Sequence, residues 1–174
     1  MKLILLILAL AVITVNAQDK SKIIIDEKSE KPMLVGITGR QALQDTSFAW
    51  WFNSEYETYE VKTADLENVS GKIKDFDITI VMGTWCSDSR REIPRFYKIL
   101  DSLNYPSDKV KLIMVDRNRK GLNGEADSLG IELVPTIIFY HDGRESGRIT
   151  EAPKETLEKD TYNIIEGKNT DSEK

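Results

Sequence analysis

The sequence is poor in the residues from which disulfide frameworks and metal sites are built. Its 174 residues include one cysteine, Cys86, and one histidine, His141. A single cysteine excludes an internal disulfide framework and a four-cysteine zinc site, and a single histidine excludes a multi-histidine metal site. We therefore expect no metal site of either kind.

Positive charge is also scarce. The 24 lysine and arginine residues are outnumbered by 29 aspartate and glutamate residues, so the net charge is −5 at pH 7. Because binding to nucleic-acid phosphates needs clustered lysine and arginine, we expect no nucleic-acid partner. The 40% apolar and 30% charged residues are typical of a globular chain, not of a disordered or collagen-like one.

The longest apolar run lies at the N-terminus, from Leu3 to Val15 after the basic Lys2, and Val15-Asn16-Ala17 places short side chains before Gln18. The run is shorter than the about 20 residues that a membrane-spanning helix needs. We predict a signal peptide over residues 1–17, with an uncleaved N-terminal anchor as the alternative. Cleavage would give a periplasmic or extracellular protein without stable membrane insertion, in which a lone cysteine is either intermolecular or a reactive thiol.

The rest of the chain is divided into three segments. Residues 18–55 are predicted to form an N-terminal extension with an aromatic-rich helix, residues 56–166 one domain, and residues 167–174 a polar tail. The aromatic run Trp50-Trp51-Phe52 is interpreted as core packing or a lid, with a ligand platform as the alternative.

From residue 59 the predicted order of elements is β-α-β-α-β-α-β-β-α. Its first strand is expected at Tyr59 and Val61, and its first helix is expected to begin at Thr63 and bury Leu66, Val69 and Ile73. Alternating strands and helices favour an α/β sheet with parallel strands and helices on both faces, which ends in an antiparallel hairpin.

Cys86 is predicted to lie where a buried strand ends and an amphipathic helix begins. Unpaired backbone N–H groups and the positive end of the helix dipole favour a thiolate at such a position, and cysteines placed there often act as nucleophiles. Arg90 and Arg91 add positive potential, and Asp88 opposes it. We predict a reactive thiol, with a small buried residue in a degenerate redox fold as the alternative.

Three features of the sequence together resemble the thioredoxin superfamily. These are Trp85-Cys86-x-x-Ser89, Pro94 eight residues after the cysteine, and Val134-Pro135-Thr136 before a strand. The resemblance covers roughly residues 56–166 and implies a thioredoxin-like α/β fold, with a central mixed sheet and helices on both faces. A narrower resemblance is to exported bacterial thioredoxin-like proteins with W-C-x-D-S-x-R-x-x-P.

The resemblance also implies roles for individual residues. Cys86 matches the attacking cysteine, and Trp85 matches the tryptophan that shields it. Pro135 matches a cis-proline whose loop, with Val134 and Thr136, binds an extended peptide through backbone hydrogen bonds.

Two positions depart from the superfamily pattern. Ser89 occupies the place of the resolving cysteine, and because serine cannot attack a mixed disulfide, release of the substrate needs an external thiol. Ser89 is either a hydrogen-bond partner of the Cys86 thiolate or an ordinary residue of the first helical turn. Ile80 occupies the position of a buried acid that assists proton transfer in the superfamily.

We therefore expect an exported thiol-disulfide oxidoreductase or isomerase with a C-x-x-S site. It would act through Cys86 on disulfides or oxidised cysteines of a client protein, use an external thiol reductant and need no cofactor or metal. The alternative is a redox-inactive thioredoxin-fold module that binds peptides at the Pro135 loop; a Cys86-linked homodimer is a third hypothesis. The loop Asp116–Lys120 is predicted to be solvated, with a partner patch as the alternative.

Overall fold

The structure, a computed structural model, describes residues 20–168. The predicted signal peptide and residues 169–174 of the predicted tail lie outside the described residues. The strands are β1 (Lys20–Ile25), β2 (Pro32–Thr38), β3 (Phe76–Met82), β4 (Val110–Met114), β5 (Thr136–His141) and β6 (Arg144–Thr150). The helices are α1 (Ala49–Thr58), α2 (Ser87–Ser102) and α3 (Leu157–Ile165).

The strands form one mixed sheet in the order β1-β2-β4-β3-β5-β6. The central strands β3 and β4 run parallel, and the other neighbouring pairs among the described strands are antiparallel. The inner strands are nearly continuous apolar runs because both of their faces are covered. The predicted α/β fold class, with a central mixed sheet, is confirmed.

The side chains of β3 divide the core into two layers, since successive residues of a strand point to opposite faces. Ile78, Ile80 and Met82 belong to the larger layer, to which all three α-helices contribute buried side chains. Val81 belongs to a smaller layer with Val115 and Val134 and others, next to the short 3-10 turn Asp127–Leu129. Within the described residues, the three α-helices therefore pack on one face of the sheet, and the second face is covered by this 3-10 turn and a loop.

The strand predicted at Tyr59 and Val61, and the helix predicted to follow it, are wrong. Residues 59–62 form no strand, because the Tyr59 hydroxyl and the Lys62 N–H donate to the carboxylate of Glu158, at 2.9 and 3.0 Å. The helix is replaced by two 3-10 turns, Thr63–Asp65 and Lys72–Asp75. Asn68, Ser70 and Gly71 between them have low helix propensity, although the three predicted apolar positions Leu66, Val69 and Ile73 are buried.

The strand and helix that precede β3 are instead β2 and α1, both within the segment predicted as an N-terminal extension. β2 joins the sheet by antiparallel pairing with β4, where Ile37 lies opposite Ile113, and β1 forms the edge beside it. Trp51 and Phe52 of α1 are core residues, as the simpler interpretation of the aromatic run predicted, whereas Trp50 is 67% exposed.

Candidate functional site

Cys86 lies at the junction between the sheet and the long helix α2. β3 ends at Met82, a short loop follows, and Cys86 is the N-cap residue of α2. Its N–H donates to the carbonyl oxygen of Gly83 at 3.0 Å, and its carbonyl oxygen accepts from the N–H of Arg90 at 3.1 Å. The predicted strand-to-helix position is confirmed, and the half-buried thiol belongs to the residue that begins the helix, where backbone N–H groups lack partners within the helix.

The loop before β5 contacts the thiol directly. Cys86 Sγ lies 3.1 Å from the carbonyl oxygen of Val134, to which the thiol donates, and the Val134–Pro135 peptide bond is cis. Val134, Pro135 and Thr136 are buried, and the Thr136 hydroxyl donates to the carbonyl oxygen of Leu133 at 2.7 Å. The structure thus brings Cys86 together with the loop of three residues that the resemblance indicated.

Ser89 is fully buried one turn after the cysteine. Its hydroxyl oxygen accepts a hydrogen bond from the backbone N–H of Gly83 at 3.3 Å. Ser89 therefore ties the loop before Cys86 to the first turn of α2. Ile80 is buried in the larger core layer, so the position holds an apolar side chain where the superfamily pattern has an acid.

Trp85 is held in place beside the cysteine. Its ring Nε1–H donates to the carbonyl oxygen of Val115 at 3.0 Å, and its ring packs across Gly83, where a Cβ atom would collide with the indole. Trp85 and Cys86 both pack against the smaller core layer. A glycine at position 83 is therefore required by the close approach of the indole.

Arg117 is part of this site, although its loop was predicted to be solvated. Its guanidinium lies 5.0 Å from the centre of the Trp85 ring, which suits a cation–π contact. The same group forms a bidentate ion pair with Asp26, with Nε 2.8 Å from Oδ1 and Nη2 2.7 Å from Oδ2. Asp26 follows β1 in the turn before β2 and is buried.

The electrostatics of this pair favour its charged form. The hydrogen bond from Arg117, helped by the hydroxyl of Ser29, holds the pKa of Asp26 far below its usual range. The hydrogen bond to Asp26 in turn raises the pKa of Arg117 above its usual value. One sequence signal could have located Arg117: it closely follows β4, and the carboxyl ends of the parallel strands β3 and β4 meet at the edge where Cys86 lies.

Arg90 is the second guanidinium near the thiol. Its Nε–H donates to the carbonyl oxygen of Thr84 at 2.5 Å. Burial lowers the pKa of Arg90, the charge of Arg117 lowers it further, and a negative charge on Cys86 acts in the opposite direction. Asp88 instead pairs with Arg91 at 2.9 Å, as expected for a charge in the first turn of a helix.

Residues 20–168 were also searched for metal-binding groups and for membrane-spanning helices. No group of three or more histidine, cysteine, aspartate or glutamate side chains in this part of the chain could hold a metal ion. No helix in the same range is long and apolar enough to cross a membrane.

Known proteins similar to the chain were found by sequence and by structure. The chain is 34% identical over 74 residues to "Thioredoxin O, mitochondrial" from Oryza sativa subsp. japonica, a match that covers 42% of this chain and 40% of the relative. The match supports a thioredoxin-like relationship, and the chain spans about two fifths of the length of this curated relative. No protein-family profile matches the chain.

Two solved structures are similar at low identity. One is a protein of unknown function from Pseudomonas aeruginosa, with a TM-score of 0.49 and 15% identity over 75% of this chain and 93% of that one. The other is thioredoxin O2 from Arabidopsis thaliana in the oxidised state, with a TM-score of 0.34 and 20% identity over 50% of this chain and 75% of that one.

Proposed function

We propose that the protein is an exported monothiol thiol-disulfide oxidoreductase or isomerase that acts on client disulfides or oxidised cysteines through Cys86. The observation that carries this proposal is the 3.1 Å contact between Cys86 Sγ and the Val134 carbonyl oxygen. It places a thiol at a helix N-terminus beside a loop that has backbone groups for an extended peptide. Arg90 and Arg117 place two guanidinium groups close enough to interact electrostatically with Cys86.

The first step is attack of the Cys86 thiolate on one sulfur of a client disulfide. A Cys86–client disulfide bond forms, and the second client sulfur leaves as a thiolate that takes up a proton. With a client sulfenic acid, the same attack forms the mixed disulfide and releases water. Trp85 shields the sulfur, while the Pro135 loop, with Val134 and Thr136, holds the client backbone.

The second step needs a thiol from outside the site, because Ser89 cannot supply one. If another client cysteine attacks the client sulfur, Cys86 is released and the client disulfide is rearranged. If an external thiol attacks Cys86, the client leaves reduced, and a second external thiol regenerates Cys86 and forms a dimer of the reductant. Client reduction therefore consumes two external thiols and yields one external disulfide.

The proposed location outside the cytoplasm is supported by the N-terminal sequence pattern of a basic residue, an apolar run and short residues at 15–17. An oxidising compartment would supply the disulfides on which the reaction acts. Expression of the full chain, followed by N-terminal sequencing of the exported protein, tests this part of the proposal. A protein that still begins at Met1 would contradict cleavage after residue 17.

The activity is tested with the full chain and a peptide that carries a disulfide-linked glutathione, with glutathione as the external thiol. We expect release of the free peptide thiol, trapping of a Cys86–peptide or Cys86–glutathione disulfide by mass spectrometry, and loss of both in Cys86→Ser. A Cys86 that is alkylated freely but forms no mixed disulfide would contradict the proposal and favour the peptide-binding alternative.

Ser89→Cys provides a second arm of this experiment. A cysteine at position 89 would attack the mixed disulfide from within the same helical turn, so one round of client reduction should proceed without added thiol. Ser102→Cys, at the far end of α2, is the matched control and should still require the external thiol. Equal behaviour of the two variants would show that the Cys86 intermediate is not resolved from position 89.

A further inference from the structure

A groove of about 290 Å³ opens beside the site, between the N-terminal part of α2 and α1. Trp50 forms part of its wall and exposes 67% of its surface, although its neighbours Trp51 and Phe48 in the same wall are core residues. The remaining lining residues are Lys31, Pro32, Ser47, Thr84 and Arg90. The groove thus combines an exposed indole with two cationic side chains.

The charge of the groove contrasts with that of the whole chain. The net charge of the protein is −5, yet none of the groove's lining residues is acidic. Within residues 20–168, neither Lys31 nor Arg90 forms an ion pair, and the Arg90 side chain donates only to the Thr84 carbonyl oxygen. Asp45, close to Ser47 in sequence, is directed onto the Ser47 N–H at 2.8 Å. The groove therefore has charge complementarity to a carboxylate.

Arg90 connects the groove to the thiol. It lies one helical turn after Cys86, and its N–H donates to the Cys86 carbonyl oxygen. The floor of the groove is fixed, because the buried Thr84 hydroxyl accepts from the Leu34 N–H at 3.2 Å. A peptide bound at Cys86 would therefore lie within one helical turn of Arg90, which lines the groove together with Trp50.

We propose that this groove binds the client segment next to the target cysteine and selects an acidic side chain there, with a neighbouring aromatic or apolar side chain against Trp50. The acidic group pairs with Arg90 and Lys31, and the second side chain covers the exposed indole. This inference rests on the proposed function, since it names the class of client that Cys86 attacks.

The test uses three peptides that differ at one position beside a single cysteine, with Asp-Trp, Asn-Trp or Lys-Trp as the flanking pair. Each cysteine carries a 2-thiopyridyl group, so attack by Cys86 on the peptide sulfur forms the mixed disulfide and releases 2-thiopyridone, which is followed by absorbance. We expect the Asp peptide to react about fivefold faster than the Lys peptide, with the Asn peptide between them, and 0.5 M salt to reduce the ratio.

Three variants and a control identify the groove as the cause. Arg90→Gln and Lys31→Gln should each bring the Asp-to-Lys rate ratio toward one. Trp50→Ala should slow all three peptides while it keeps their order. Arg144→Gln removes an exposed arginine of β6 outside the groove and should leave the ratio unchanged. Taking a ratio between peptides removes any common effect of Arg90 on the reactivity of Cys86.

The neutral disulfide 2,2′-dithiodipyridine separates failure of this inference from failure of the proposed function. If Cys86 reacts with neither this probe nor the peptides, the proposed function fails. If Cys86 reacts with all three peptides at the same rate, the function stands and the groove inference is overturned. A charge preference that persists in both Arg90→Gln and Lys31→Gln would also overturn it.

Discussion

Two clusters toward opposite ends of α2 use the same set of interactions. In the thiol-side cluster, which comprises Asp26, Trp85 and Arg117, the guanidinium lies 5.0 Å from the Trp85 ring centre and pairs with Asp26. In the distal cluster, which comprises Arg40, Tyr97 and Asp101, the guanidinium lies 5.0 Å from the Tyr97 ring centre and pairs with Asp101 at 2.7 Å.

The surroundings make the two clusters different. The aromatic side of the distal cluster is continuous with the core of α1 and α2 through Phe52, and its carboxylate is 43% exposed. In the thiol-side cluster, the carboxylate is 4% exposed, and the aromatic ring stands next to the protein's single cysteine. The same arginine–aromatic–carboxylate arrangement therefore occurs both in a packing cluster and in the candidate site. The neighbouring cysteine, and not the arrangement itself, indicates a functional role for the thiol-side cluster.

The largest difference between the two clusters is expected when an aromatic ring is removed at each of them. The rings compared are Phe52, which packs against Tyr97 of the distal cluster, and Trp85 of the thiol-side cluster. Phe52→Ala should lower the free energy of unfolding by about 3–5 kcal/mol, because Phe52 is fully buried. Trp85→Ala should lower the free energy of unfolding by less, because the indole is half-buried, but it should speed alkylation of Cys86 if the indole shields the thiol as proposed. Urea unfolding and iodoacetamide kinetics measure both effects. Equal losses of stability, with no change in alkylation, would make the two ends equivalent.

A smaller difference is expected from the arginines. Arg117→Gln should slow alkylation of Cys86 at pH 7 by about fivefold, equivalent to about 1 kcal/mol, because it removes a positive charge that favours the thiolate. Arg40→Gln is the matched control and should change the rate by less than about twofold, since Arg40 is also paired with a carboxylate but lies at the distal end of α2, away from Cys86. Circular dichroism verifies that both variants are folded. An equal slowing in both would contradict a local effect at the thiol.

The smallest difference between the two clusters is expected when each aspartate is replaced by asparagine. Asparagine keeps the shape of aspartate and one oxygen that can accept a hydrogen bond from the arginine. Because the folded protein lowers the pKa of Asp26, this carboxylate stabilises the fold above its unfolded pKa of about 3.9, and the contribution is lost as the pH falls through the lower folded value. Asp26→Asn should therefore lower the urea midpoint at pH 7. The difference in urea midpoint between this variant and the unsubstituted protein should become smaller below about pH 4.

Asp101→Asn provides the comparison for this pH series. Its ion pair is exposed, so removal of the charge should shift the urea midpoint at pH 7 by less than Asp26→Asn does. If Asp26→Asn lowered the urea midpoint by the same amount at pH 3 and pH 7, the contribution of Asp26 to stability would come from the shape of its side chain and not from its charge.

Local patterns were enough to locate the end of the molecule that carries the candidate site. The apolar run of β3, the helical spacing of α2 and the final antiparallel hairpin depend on residues a few positions apart, and all three elements are present. For the same reason the sequence placed Cys86 at the start of a helix. The resemblance also indicated the Val134–Thr136 loop, and Cys86 contacts Val134 of this loop in the structure.

The segments whose structure differs from the prediction depend on partners that are distant in the sequence. The strand expected at Tyr59 is absent because that backbone segment is bound by Glu158 on α3, and β2 joins the sheet through pairing with β4. Trp50 differs from its neighbours only in the side of α1 on which it falls, so its exposure could not be inferred from the aromatic run.

The sequence determined that one thiol, without a resolving partner, begins a helix after a buried strand, because these properties follow from residue identities and short-range periodicity. Only the tertiary structure decided which charges surround that thiol. Asp26 and Arg117 are 91 positions apart, and they meet because the β1–β2 turn and the loop after β4 lie at the same edge of the sheet. The position of the thiol is thus determined locally in the sequence, whereas its electrostatic environment is a property of the fold.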